Sequence, residues 1–176
     1  MVKLGRIDIC CEVSMMSSHL ELPREGHLDQ VFHIFAYLKN YRNYALVFDR
    51  SYPDVNIETL TKHDWKKLYG DVKEVMPPDM PEPLVKAVVM RCFVDANHAR
   101  EKLTFRSRSG FIICLQMAPI HYCSKRQNTV ETSTFSSELM DMKIACEYIR
   151  GLRYKLRMIG IPFSDPCFVY GYKKLV

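Results

Sequence analysis

Apolar positions along the chain change their spacing several times, and each change marks an element. After Pro23, Leu28, Val31, Phe32, Phe35 and Leu38 recur at the three-to-four spacing of an amphipathic helix, with Asp29, Gln30 and His33 on other faces. A strand-like run, Tyr44–Phe48, follows the polar turn Asn40–Asn43. The next stretch, residues 51–86, is polar and weakly periodic. It ends in Pro77, Pro78, Pro81 and Pro83, a density that excludes helix and favours extended backbone. Trp65 sits in this stretch as an expected anchor to the core.

Beyond the prolines the pattern becomes regular. Val88–Asp95 and Phe111–Met117 read as strands, joined by the basic connection Ala96–Ser109. Pro119 opens a third strand, Ile120–Ser124, after a link short enough for an antiparallel hairpin. Leu139, Met142, Cys146, Ile149, Leu152, Leu156 and Ile159 then repeat at spacings of 3, 4, 3, 3, 4 and 3, which predicts a long amphipathic helix capped by Thr134 or Ser136 and ended by Gly160 and Pro162. Cys167–Tyr170 makes a fourth strand, and the intervening helix lets it return parallel to an earlier one. The expected fold class is α/β: a mixed sheet of a three-strand antiparallel meander, a helix and a parallel strand, preceded by an N-terminal helical connection segment. The expected organisation is 1–50 as that connection segment, 51–86 as a Pro-rich linker or surface wrap, and 87–176 as the sheet domain.

Composition narrows the setting. The chain is 48% hydrophobic and 26% charged, the balance of a globular protein. No apolar run approaches the roughly 18–20 residues that span a bilayer. Lys3, Arg6 and Asp8 interrupt Met1–Cys10, so a signal peptide is not expected and the anticipated location is cytoplasmic or nuclear. The seven cysteines have no CxxC pair and no zinc spacing. The net charge of +5 is unevenly spread: 14 Lys and Arg face 7 Asp and Glu from Ala87 onward, against 11 and 13 before it. That asymmetry suits either a polyanion partner for the basic half or a solvated basic surface.

Two carboxylates stand where chemistry can use them. Asp95 ends the first strand, and Glu138 lies in the first turns of the long helix, leaning toward its buried side. A carboxylate so placed is costly unless paired or bound to a cation, and Mg²⁺ takes a few carboxylates with water and phosphate oxygens. The competing reading is a glutamate favoured by the helix dipole and an aspartate in a strand-end turn.

Four motifs in order, "FVDANHA" at 93–99, "RSRSGFIICL" at 106–115, "APIHYCSKRQNTVETSTFSSE" at 118–138 and "LRYKLRMIGIP" at 152–162, resemble the ribonuclease H-like domain of copia-type retrotransposon polyproteins. "HIFAYLKNYRNYALVFD" at 33–49 resembles the segment joining their reverse transcriptase to that domain. The resemblance implies a ribonuclease H-like fold. It also implies hydrolysis of the RNA strand of RNA/DNA hybrids by two Mg²⁺ (or Mn²⁺) ions, as part of a larger polyprotein. No membrane partner is expected, since no apolar run is long enough to span a bilayer. It makes Asp95 and Glu138 the first catalytic aspartate and the catalytic glutamate, both metal ligands.

The departures matter. The resemblance puts a third catalytic aspartate where Tyr172 stands, after "FVYG" at 168–171, and leaves the final helices absent, so the domain is expected to be C-terminally truncated and catalytically impaired. A phenol is neutral near pH 7 and cannot replace a carboxylate. Relatives also often carry Asp where Asn97 stands and Gly-Asp where Arg100-Glu101 stand. Asp141, about 60° around the helix from Glu138, is the nearer substitute ligand, and Asp165 is expected at the opposite edge of the sheet. The alternative is a non-catalytic nucleic-acid-binding fold or a relic of a transposable element. Arg100, Lys102, Arg106, Arg108, Lys125 and Arg126 beside the acidic pair are candidate phosphate contacts, or a solvated loop. Arg150, Arg153, Lys155 and Arg157 are expected on the exposed face of the long helix.

Overall fold

The computed structural model describes residues 5–54, 64, 66–99, 101 and 104–171. Trp65, Arg100, Lys102 and Tyr172 lie outside the described residues. The chain opens with a short 3₁₀ turn, Ile7–Ile9, that runs into α1 (Cys10–Ser17), followed by α2 (Glu25–Asn40) and a single turn, α3 (Lys66–Tyr69). Then come β1 (Met90–Asn97), β2 (Arg108–Leu115), β3 (Ala118–Arg126), α4 (Thr134–Met158) and β4 (Phe168–Gly171).

The sheet order is β3-β2-β1-β4, with β1–β2 and β2–β3 antiparallel and β1–β4 parallel. This is an α/β mixed sheet with an antiparallel meander and one parallel return. The parallel return is possible because α4 carries the chain back across one face. Strand alternation decides which side chains that face receives: Met90, Cys92, Val94 and Ala96 point under α4, while Phe93, Asp95 and Asn97 point away. With Phe111 and Ile113 of β2 and Ala145 and Ile149 of α4, the first three form the apolar core.

The buried face of α4 coincides only in part with the apolar stripe that sequence spacing selects: Ile149 is in the core and Leu152 and Leu156 pack against it. Leu139, Met142, Cys146 and Ile159 are exposed; the buried positions are Ser137, Asp141, Ala145, Ile149, Arg153 and Arg157, every fourth residue. A four-residue step advances about 40° around an α-helix, so this line winds across the helix surface. Its start meets polar groups of the sheet, its middle meets the apolar core, and its end meets another segment. Arg153 and Arg157, expected in solvent, are each 6% exposed and both pair with Glu74, at 2.9 and 2.6 Å. Phe163 packs its ring under both guanidinium groups, 4.4 and 5.4 Å away. Arg150 and Lys155 are exposed as expected.

Glu74 belongs to the polar segment before the prolines, which therefore clips to α4. A second tie follows at Gly160, whose carbonyl accepts from Leu84 N at 2.9 Å. Gly160 has φ +79, the left-handed conformation that ends helices, and a side chain there would meet Leu84 Cγ at 2.7 Å.

At the other end of the chain, α1 lies against the β3 side of the sheet's second face. Ser14 donates from Oγ to the Ser124 carbonyl at 2.6 Å. Tyr44–Phe48 forms no strand, and sequence periodicity gave no sign of α1. α2 begins at Glu25, three residues before its first expected apolar position, where Arg24 N donates to His27 Nδ1 at 3.2 Å.

Candidate active site

The sequence-selected carboxylates converge on one stretch of the β1–β2 pair. Asp95 is exposed on the face opposite α4 and stands in register with Gly110. Glu138 comes from the second turn of α4, and its Oε2 accepts a hydrogen bond from Ala96 N at 3.3 Å. Ala96 is the residue after Asp95, and two beyond Val94, which pairs with Gly171 of β4. Glu138 therefore meets the β1 backbone just past the paired part of β4.

A third carboxylate sits beside them. Asp141 is fully buried between α4 and β2, and its Oδ2 accepts from Gly110 N at 3.2 Å. Its Oδ1 is also buried and has no hydrogen-bond partner among the described residues. Burial raises its pKa to about 7, and the nearby charges of Glu138 and Asp95 push the same way against the Gly110 amide and Ser109. The approach is from two sides, however: Asp95 lies on one face of the sheet and Asp141 on the other. Among the described residues no three His, Cys, Asp or Glu side chains form a group able to hold a metal ion. Asp165 lies elsewhere, in the loop before β4, where its carbonyl accepts from Arg153 at 3.2 Å.

The start of α4 is fixed by a buried polar cluster that sequence reasoning did not anticipate. Ser133, rather than Thr134 or Ser136, is the N-cap, and its Oγ accepts from Ser136 N at 3.1 Å. Ser137 Oγ lies 2.7 Å from His98 Nδ1 and 2.9 Å from Ser107 Oγ, and donates to the Ser133 carbonyl. Gln127 Nε2 donates to Ser109 Oγ and to the Ser137 carbonyl, both at 3.0 Å. Ser107, Ser109, Gln127 and Ser137 are all buried, so these bonds replace the water they lose. Together they lock the first turn of α4 to β2 and β3, which sets where Glu138 and Asp141 point. The available signal was the ladder Ser137, Asp141, Ala145, Ile149, small or polar residues continuing an apolar line at helical spacing.

The basic residues divide. Arg108 Nη1 donates to Ser14 Oγ at 2.5 Å, and Nη2 lies 3.5 Å from Ser18 Oγ, tying α1 to β2. Both hydrogen-bond partners are neutral, and the guanidinium charge acts on the nearby Glu101 carboxylate. Arg126 bonds Glu101 at 3.0 and 3.3 Å, and the Thr104 hydroxyl donates to the same carboxylate. Lys125 is exposed and Arg106 half-buried. His121, in β3, stacks on Tyr148 with ring centres 4.1 Å apart, and burial holds its pKa below the ordinary value.

No family model matches the chain, and neither a curated protein nor a solved structure does. Among the described residues no helix is long and apolar enough to cross a membrane.

Proposed function

We propose that this chain is part of a ribonuclease H-like domain from a copia-type retrotransposon polyprotein, which engages RNA/DNA hybrids and hydrolyses their RNA strand weakly at Asp95 and Glu138. The observation that carries the reading is the Glu138–Ala96 hydrogen bond, which brings the helix carboxylate to the residue beside Asp95. The β3-β2-β1-β4 order with a parallel β4 is compatible with that fold.

Two carboxylates are too few donors for a pair of hard cations, and among the described residues no third His, Cys, Asp or Glu joins them in a metal-holding group. Mg²⁺ commonly takes one or two carboxylates together with substrate phosphate oxygens; Asp95 and Glu138 would supply the carboxylates and the hybrid the phosphate oxygens. Bound there, the ion would polarise a phosphate oxygen. The chain's own contribution is position. The Ser137–His98–Ser107 cluster holds the first turns of α4, and Arg108 and Lys125 offer charge to the backbone of a bound strand.

A non-catalytic nucleic-acid binder is the second reading. It is favoured by the separation of Asp95 and Asp141 on opposite faces of the sheet. Incubating a labelled hybrid with Mg²⁺ or Mn²⁺ separates the two: metal-dependent cutting supports the first, and binding without cutting supports the second.

A further inference from the structure

On the sheet face away from α4, register aligns three rows of side chains. Tyr122, Ile112, Phe93 and Tyr170 form one row across β3, β2, β1 and β4. Ser124, Gly110 and Asp95 form the next, and Arg126, Arg108 and Asn97 the third. The first row is a wall of rings and a branched chain: Phe93 and Tyr170 stack with centres 5.2 Å apart and planes 17° from parallel. The middle row is a trough, because Ser124 is small and Gly110 has no side chain. A Cβ on Gly110 would meet only two backbone oxygens, the nearer at 3.4 Å. The N-terminal segment closes one side, bringing Ile7, Cys10 and Glu12 to the rim. The result is a cavity of about 460 Å³. That is within the range of about 300–1,000 Å³ typical of small-molecule sites, with the expected mixture of apolar walls and a few polar groups.

The polar groups specify the occupant. Asp95 and Glu12 border the cavity as carboxylates, which accept hydrogen bonds and cannot donate them when ionised. Asp8 is also there, but it is paired with Arg6 at 2.7 Å. On the cationic side, Arg108 directs two nitrogens to Ser14 and Ser18. A ligand that fits must be flat enough to lie against the ring wall and must carry N–H donors in its plane toward the carboxylates. Phe93 has the exposure to receive it: it is 44% exposed despite its stacking on Tyr170 and the Arg91 guanidinium 5.6 Å from its centre.

We infer that this cavity binds an amino-bearing nucleobase, with the ring against the Phe93 wall and the exocyclic amine donating to Asp95 or Glu12. The site shares Asp95 with the proposed nuclease pair but needs no metal, so binding in the absence of metal tests it apart from that reading. Bases stack on aromatic side chains with little regard to sequence, and the in-plane amine is what the two carboxylates add. The sugar and phosphate leave through the open side, whether the base belongs to a free nucleotide or to a single strand.

The test is calorimetric titration of the chain, in EDTA, with adenosine monophosphate, with the monophosphate of purine riboside (the same ring without the amine), and with a short oligoadenylate. Saturable binding of the adenine nucleotide is expected, at least tenfold weaker for the analogue, since hydrogen bonds to charged groups are the stronger kind. Phe93→Leu removes the ring, and Gly110→Val fills the trough; each should weaken binding tenfold or more while circular dichroism stays unchanged. If the oligoadenylate competes for the same site and its affinity falls with salt, the base comes from a strand; competition without a salt slope assigns it to a free nucleotide. Absence of binding at millimolar ligand, equal binding of the two monophosphates, or folded variants that bind as the wild type does would overturn the inference. Hybrid cleavage surviving any of those results would leave the nuclease reading standing.

Discussion

Asp141 Oδ2 accepts the backbone N–H of Gly110 at 3.2 Å, placing a fully buried carboxyl group on the reverse side of the strand pair that displays Asp95. Its pKa is raised to about 7, so the folded chain holds a proton that an unfolded chain releases near the ordinary carboxylate range. The unfolded state therefore binds fewer protons between about pH 4 and 7, and stability must fall as pH rises through that window. Denaturant midpoints at pH 5 and pH 8 check this. The wild type should lose stability at the higher pH, and Asp141→Asn should flatten the difference while keeping an acceptor for Gly110. Parallel profiles for the two proteins would show that Asp141 is not the titrating group.

Ser137 joins helix to sheet through His98 and Ser107. Ser137→Ala leaves both partners short of a buried hydrogen bond, a loss of about 1–3 kcal/mol. Chemical unfolding reads the cost directly. Because Glu138 follows Ser137, the same variant should reduce any metal-dependent cleavage beyond what the stability loss explains.

The clip at Glu74 has a different pH sign. Two nearly buried guanidinium groups hold this carboxylate down to about 2, with the Arg153 and Arg157 hydrogen bonds the main causes. A depressed pKa stabilises above the unfolded value near 4.5 and is lost as pH falls toward 2. Glu74→Gln should destabilise by about 2 kcal/mol. That is less than removal of one partner from a fully buried pair costs, because solvent reaches Glu74. Limited proteolysis should then cut the 70–86 segment faster than in the wild type. Unchanged cutting would mean that Leu84 and Gly160 hold the segment by themselves.

Gly160→Ala combines a left-handed backbone with a collision against Leu84. The conformation alone costs about 1–2 kcal/mol. A thermal midpoint lowered by several degrees is expected, and an unchanged midpoint would contradict the position of Leu84 over the helix end.

The order of strands and the long helix were legible because their signals are local. Cys92, Val94, Phe111 and Ile113 lie in short apolar runs, and the link before Pro119 is too short for anything but a hairpin. The strand ends shifted by about two residues, since Arg108 and Arg126 carry the β2–β3 ladder into polar sequence. Tyr44–Phe48 failed as a strand because a strand is defined by its partner, which no local pattern supplies.

The face of α4 was legible only at Ile149, Leu152 and Leu156, for a related reason. Its outer positions Leu139 and Met142 are as apolar as Ile149, so spacing cannot tell which line is covered. The covered line begins at Ser137 and Asp141 and ends at two arginines, because hydrogen bonds and Glu74 satisfy those groups. Asp95 and Glu138 could be picked from the sequence. Their relation through Ala96 could not, nor could the buried serines that fix it.

The central claim is tested most directly by cleavage of a labelled RNA/DNA hybrid with Mg²⁺ or Mn²⁺, run beside Asp95→Asn and Glu138→Gln. Slow, metal-dependent cutting of the RNA strand that both substitutions abolish is the predicted result. A hybrid that stays intact with the folded wild-type chain, or cutting that survives both substitutions, would contradict the assignment of Asp95 and Glu138 as the hydrolytic pair.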